Sequence, residues 1–220
     1  MIHSTHHTDE REPAILLVPG LDNSGPLHWQ SHWECEFTDS QRVDLGMWDN
    51  PNRNTWVNKL NLAIQRAGRP VILVAHSLGC HAIAWWAEYE RPFYGHPVAG
   101  ALLVAPPEVE GGAIDKRLTR FAPVPPGRLP FPSILAASCN DPYIDFGRAK
   151  RLARIWGSRL VDAGPIGHIN ADSAIADWNY GKYLLRHLIA SITPSRAPII
   201  RGRAYDTLAP DAAPQLALGR

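Results

Sequence analysis

Charge of one sign is what this chain does without. Lys and Arg number 22 and Asp and Glu 21 over 220 residues, a formal net charge of +1. No block of like charge interrupts that balance, so the electrostatic footprint of a nucleic-acid or membrane-surface partner is missing. Cysteine is scarce, and Cys35, Cys80 and Cys139 are widely spaced with no C-x-x-C pair. An odd, scattered set of this kind supplies neither a disulfide framework nor a zinc site, and points to reduced thiols in a cytoplasmic protein. No stretch approaches the roughly 18 apolar residues of a spanning helix. The opening MIHSTHHTDEREP has no apolar run of signal-peptide length. Its His3, His6 and His7 can be imagined around a metal ion, but residues 1–13 are expected to form a flexible polar leader.

What the chain does have is a length that suits one domain with a sizeable core. Ala14 to Val18 is apolar on both faces, as in a strand covered on both sides, and ends at Pro19-Gly20. PLHWQSHWECEF, residues 26 to 37, repeats Trp29 and Trp33 four apart behind a proline, which predicts a helix. A strand is expected over Arg42 to Leu45, then a helix from Thr55 to Ala67 stopped by Gly68. Further strands are expected near Val71 to Val74, Val98 to Ala105, Ser133 to Ser138 and Arg159 to Asp162. Helices are expected over Leu78 to Tyr89, Phe146 to Trp156 and Ser173 to Ile189. Glu108 to Pro130, rich in glycine and proline, reads as a loop excursion with at most a short helix at Ile114 to Arg120. Residues 191–220 read as a Pro/Ala-rich tail outside the core domain of 14–190. Strands alternating with helices predict an α/β fold, with a mainly parallel sheet covered on both faces and ligands at the carboxyl ends of its strands.

The stretch PVILVAHSLGC, residues 70 to 80, sets a serine where such a strand must turn into a helix. Ala75-His76-Ser77-Leu78-Gly79 departs from the G-x-S-x-G nucleophile elbow only in having alanine at its first small position. A serine hydroxyl needs a base to accept its proton and a carboxylate to orient that base. Asp141 follows the strand ending at Ser138, and His168 follows the last strand, so both fall at the same sheet edge as Ser77 in the order Ser, Asp, His. Asp145 is the competing acid, although it more naturally begins the next helix. Oxyanion donors are expected from the backbone N–H of Leu78 and from the Pro19-Gly20-Leu21-Asp22 turn, with Leu21 preferred and Asp22 as the fallback. His76, which should point away from the serine, is read as structural. His28, His32 and His81 are read as packing residues. Trp29, Trp33 and Trp178 can be placed around an acyl pocket, but aromatic residues at helical spacing are more often core.

Four stretches together resemble the retinoblastoma-binding protein nine/YdeN family of small serine hydrolases, within the α/β-hydrolase superfamily. They are VPGLDNSGPLHWQSHWE at 18 to 34, AHSLGC at the turn, SCNDPY at 138 to 143 and GHINADSAIADWNYGKYLL at 167 to 185. The resemblance covers most of residues 14 to 190. It implies Ser77 as nucleophile, Asp141 as acid and His168 as base, in an α/β-hydrolase fold with little or no lid. The expected reaction is hydrolysis of small carboxyl esters or thioesters through an acyl-enzyme on Ser77, with an amidase as a close variant. Neither a metal nor an organic cofactor is expected. The expected partner is a small acyl substrate, with protein partners left open. The rival from another class is a protein-binding module on a hydrolase scaffold.

Overall fold

The computed structural model describes residues 12–192. The leader and tail expected at 1–13 and 191–220 lie outside the described residues, apart from the two innermost residues of each. Six strands form one sheet: β1 (Ala14–Val18), β2 (Ser40–Arg42), β3 (Val71–His76), β4 (Val98–Val104), β5 (Ser133–Ala137) and β6 (Arg159–Asp162). Their order is β2-β1-β3-β4-β5-β6, and every pairing is parallel. Five α-helices connect and cover them: α1 (Trp29–Glu36), α2 (Arg53–Ala67), α3 (Leu78–Glu90), α4 (Phe146–Trp156) and α5 (Asn179–Ile192).

Successive side chains of a strand point to opposite faces, and the central strands are apolar at both parities, so the sheet builds two cores. Leu16, Leu73, Leu103 and Leu135 pack on one face against α2, α3 and α4. Leu17, Ile72, Leu102 and Ile134 pack on the other against α1 and α5. Each of these leucines and isoleucines is at least nine-tenths buried, which stabilises the fold by about 1.5–3 kcal/mol per side chain before the entropy of ordering is counted. From β1 the chain leaves by α1 to β2 at the sheet's edge and returns by α2 to β3 on the other side of β1. The strand order therefore reverses between β1 and β3. The carboxyl ends of these two strands splay their outgoing loops apart, which opens a crevice there.

Among the boundaries that differ from the sequence expectation, three have a clear physical reason. The second strand lies at Ser40–Arg42 rather than Arg42 to Leu45. Val43 and Leu45 are buried, so their alternation records burial beside the sheet, while pairing with β1 falls on the polar residues before them. Helix α1 begins at Trp29, because His28 is its N-cap and accepts from Gln30 N–H. The last helix begins at Asn179, six residues after Ser173. A separate 3-10 turn at Ala171–Ser173 is closed by a reciprocal cap with Asn170, and Ala174, Ala176 and Trp178 then take left-handed φ values that no α-helix can contain. Between β4 and β5 the only helical piece is a 3-10 turn at Leu118–Phe121.

Candidate active site

Ser77 joins β3 to α3 with φ 53° and ψ −126°, a conformation that non-glycine residues avoid unless their surroundings impose it. Two constraints do so here. Ser77 N–H donates to Val104 O at 2.9 Å, which ties the turn to β4. Gly79 lies so close to the end of β1 that a Cβ there would sit 2.4 Å from Val18 O and 2.6 Å from Pro19 O. The requirement for a small residue two places after the serine is therefore a close approach to the neighbouring strand. Ala75, in the other small position, is fully buried without difficulty.

The sharp turn lifts the Ser77 side chain onto the rim of the crevice, where His168 meets it. His168 Nε2 lies 2.8 Å from Ser77 Oγ. On its other edge, His168 Nδ1 lies 2.9 Å from both Oδ1 and Oδ2 of Asp141. Three side chains from three strand ends thus form one hydrogen-bonded line. Asp141 has a side chain only 1% exposed, and its Oδ1 also accepts from Tyr143 N–H at 2.9 Å. The Tyr143 ring rests on the His168 imidazole with centroids 4.2 Å apart. Asp145, the competing acid, faces elsewhere as the N-cap of α4, accepting from Gly147 N–H at 2.7 Å.

The segment bearing His168 is fixed by residues whose part the sequence did not disclose. Asn140 Oδ1 accepts from Gly167 N–H at 2.7 Å, and Ser138 Oγ accepts from Ile166 N–H at 3.0 Å, which binds the Asp141 loop to the His168 loop. Trp29 Nε1–H donates to Ile169 O and Trp33 Nε1–H to Asp177 O, each at 2.8 Å. These indoles and Trp178 are buried together, so they are core, as expected, and they hold the His168 segment as well. The Trp29 indole thereby ties the tryptophan-bearing helix to the G-H-I-N segment. The spacing of Trp29 and Trp33 located the helix but carried no signal for the carbonyls 140 and 144 residues away.

Gly20 packs against the turn, where a Cβ would lie 2.7 Å from Ser77 Cβ and 3.1 Å from Leu78 N. This brings the loop after β1 beside the start of α3. Leu78 is the first residue of that helix, so its N–H has no intrahelical acceptor. Neither Leu78 N–H nor Leu21 N–H donates to a group among the described residues. Asp22 N–H is engaged by Trp48 O at 2.9 Å, which removes the fallback donor.

Of the four histidines read as structural or packing residues, His28, His76 and His81 are largely enclosed. His76 Nε2 lies 2.9 Å from His168 O and must carry the proton, since a carbonyl only accepts. Burial, reinforced by neighbouring His28, holds His76 well below the ordinary histidine range. Burial and then the Arg42 charge push His28 down to about 3. Burial alone outweighs nearby acceptors to bring His81 to about 4. His32 is different, half-buried and bonded to Asp177 Oδ1 at 2.8 Å. Among the described residues no group of three or more His, Cys, Asp or Glu side chains is placed to hold a metal ion. Nor, among them, is any helix long and apolar enough to cross a membrane.

Ser77 and His168 open into a cleft of about 300 Å³, walled by Leu21, Tyr143, Asn170 and Arg117 among others. Set against known proteins, the chain matches the family described as Serine hydrolase over residues 15–187. No curated protein matches it. Among solved structures, a YdeN-like hydrolase of Pectobacterium atrosepticum aligns with a TM-score of 0.73 and 35% identity, covering 83% of this chain and 94% of that one. The ydeN gene product of B. subtilis aligns at 0.65 and 19% identity, over 81% of this chain and 99% of that one. Est1E from Butyrivibrio proteoclasticus aligns at 0.60 and 12% identity, over 82% and 90%. The last two attest to the fold. The family match over residues 15–187 and the 35% relative, aligned over 83% of this chain, place this chain in the serine hydrolase family, as a YdeN-like member of the α/β-hydrolase superfamily.

Proposed function

We propose that the protein hydrolyses carboxyl esters or thioesters of small acyl groups through an acyl-enzyme on Ser77. The observation that carries this reading is the unbroken line from Ser77 Oγ through the His168 imidazole to the buried Asp141 carboxylate, at 2.8 and 2.9 Å. Its turn has the strained backbone of a nucleophile elbow. In the proposed reaction Ser77 Oγ attacks the acyl carbonyl while His168 Nε2 takes its proton. Asp141 holds the Nδ1–H tautomer and stabilises the imidazolium that forms. The carbonyl oxygen, now negative, is received by the free N–H groups of Leu78 and Leu21; such a donor is worth about 100- to 1,000-fold in rate. His168 then protonates the leaving alcohol or thiol. Water, deprotonated by the same imidazole, releases the acid.

A cleft of about 300 Å³ stands at the lower end of the range for small-molecule sites, which favours short acyl groups. The test is a panel of p-nitrophenyl acetate, butyrate and octanoate, the matching thioesters and an anilide. Wild-type protein should turn over the short esters or thioesters fastest, and Ser77→Ala should reduce turnover to background. Equal turnover by Ser77→Ala, or a wild type inert towards every ester and thioester, contradicts the reading.

A further inference from the structure

Arg117 stands at the mouth of the Ser77 cleft, on the segment between β4 and β5. A free guanidinium there would invite an anionic substrate, but this one has no donor to spare. Nη1–H and Nη2–H donate to Asp22 Oδ1 and Oδ2 at 2.9 and 3.1 Å. Nε–H and Nη2–H donate to Asp115 Oδ2 at 3.1 and 2.8 Å. The other Nη1–H reaches Asp49 O at 3.2 Å. All five N–H groups of the guanidinium are thereby engaged by protein.

The grip falls on a particular residue. Asp22 directly follows Leu21 and has φ 60°, the left-handed region that side chains other than glycine enter at a cost. Its N–H is held by Trp48 O at 2.9 Å, and its carboxylate by the two prongs of Arg117. On the far side of the same loop, Arg42 Nη1–H donates to Ser24 O at 2.6 Å. An isolated ion pair with Arg117 34% and Asp22 58% exposed would be worth little. A bidentate fork that joins three chain segments constrains direction as well as distance.

We propose that Arg117 is a positioning residue for ester hydrolysis: its fork on Asp22 aims the Leu21 N–H at the oxygen of the carbonyl that Ser77 attacks. The proposal rests on the reading of Ser77 as nucleophile. It assigns the segment between β4 and β5 a part in the reaction, although that segment contributes no group that touches the reacting atoms.

The test compares wild type, Arg117→Ala, Arg117→Lys, Asp22→Asn and the Arg117→Ala/Asp22→Asn double variant on p-nitrophenyl acetate, well below their melting temperatures. Because the aimed donor acts on the transition state, kcat should fall about 10- to 100-fold with KM within about twofold. Arg117→Lys keeps the charge but not the fork and should recover little. The double variant should lose no more than the worse single one, since both break one contact. A purely structural arginine would lower the melting temperature and leave kcat in place. Unchanged kcat in folded Arg117→Ala and Asp22→Asn, or losses that multiply in the double variant, overturns the proposal. If Arg117→Ala does not fold, Arg117→Lys and Asp22→Asn decide alone by the same kcat criterion. Ser77→Ala, run alongside, separates the two failures: activity in that variant removes the nucleophile reading and this proposal together, whereas its inactivity beside a fully active Asp22→Asn removes this proposal only.

Discussion

His76 Nε2–H donates to the backbone oxygen of His168 at 2.9 Å, so the residue before the serine at the turn is bonded to the residue whose imidazole touches that serine. The bond runs between the end of β3 and a loop 92 residues later. It fixes the height of the His168 backbone above the sheet, and with it the reach of the imidazole. The reading of His76 as structural is compatible with this contact and understates it.

Substituting His76→Phe keeps an aromatic ring beside His28 and removes the donor. The His168 oxygen is then left without its partner, which costs about 1–3 kcal/mol when the group stays buried. A displaced imidazole should also reduce kcat by about 10- to 100-fold. Urea denaturation and p-nitrophenyl acetate kinetics check the two effects, and a variant unchanged in both contradicts the role.

Asp141 and Asp145 are four residues apart in sequence and unlike in surroundings. Asp141→Asn should lower kcat by about 1,000- to 10,000-fold, because the amide favours the wrong histidine tautomer. Asp145→Asn should stay within about threefold of wild type, since asparagine caps a helix as well as aspartate does. Parallel kinetics of the two variants decide the assignment. A severe loss confined to Asp145→Asn reverses it.

Gly79→Ala places a methyl group 2.4 Å from the Val18 oxygen and 2.6 Å from the Pro19 oxygen, both backbone atoms that no side-chain rotation moves away. The expected result is a destabilisation of about 3 kcal/mol or a chain that fails to fold. Ala75→Gly, which restores the usual glycine at the other small position, should cost only about 1 kcal/mol and keep the activity. Thermal melts of the two variants should differ accordingly; equal melting temperatures contradict the close approach.

Stability should fall as the solution is acidified. His28, His76 and His81 have folded-state pKa values below the usual 6.5, chiefly because they are buried. Below about pH 6.5 the unfolded chain binds protons that the folded chain refuses, so stability is complete above that pH and declines beneath it. The decline continues toward about 4 for His81 and about 3 for His28. Each histidine contributes at most about 1.4 kcal/mol per pH unit. Urea midpoints at pH 7.5, 6.0 and 5.0 should fall steadily, and His81→Leu should flatten the slope by one histidine's share. A midpoint independent of pH over that window contradicts the account.

The residues of the site were more legible in the sequence than the means by which they are held. Ser77 and Asp141 each follow a short run buried on both faces, which is hard to mistake once the strands on either side are recognised, whereas the strand before His168, Arg159–Asp162, is exposed at both ends and only half-buried between. Register at the sheet's edge was less legible. Val43 and Leu45 alternate like a strand, yet the pairing belongs to Ser40–Arg42, where polar side chains hide it. The start of α5 was displaced for a similar reason, since the cap at Asn170 and the left-handed residues Ala174, Ala176 and Trp178 break a segment whose composition suits a helix. Arg117, Asn140 and Trp29 act through partners remote in the chain, and no local pattern reports such a partner. The exclusion of Asp22 as an oxyanion donor likewise depends on one bond to Trp48 O, which only three-dimensional placement reveals.

Ser77 as the group that becomes acylated is the centre of the account, and the most direct measurement is the mass of the protein after reaction with a fluorophosphonate, followed by peptide mapping. Wild type should gain one phosphonyl group on the peptide containing Ser77, Ser77→Ala should gain none, and His168→Ala should react far more slowly. A label on another residue, or equal labelling of wild type and Ser77→Ala, would contradict it.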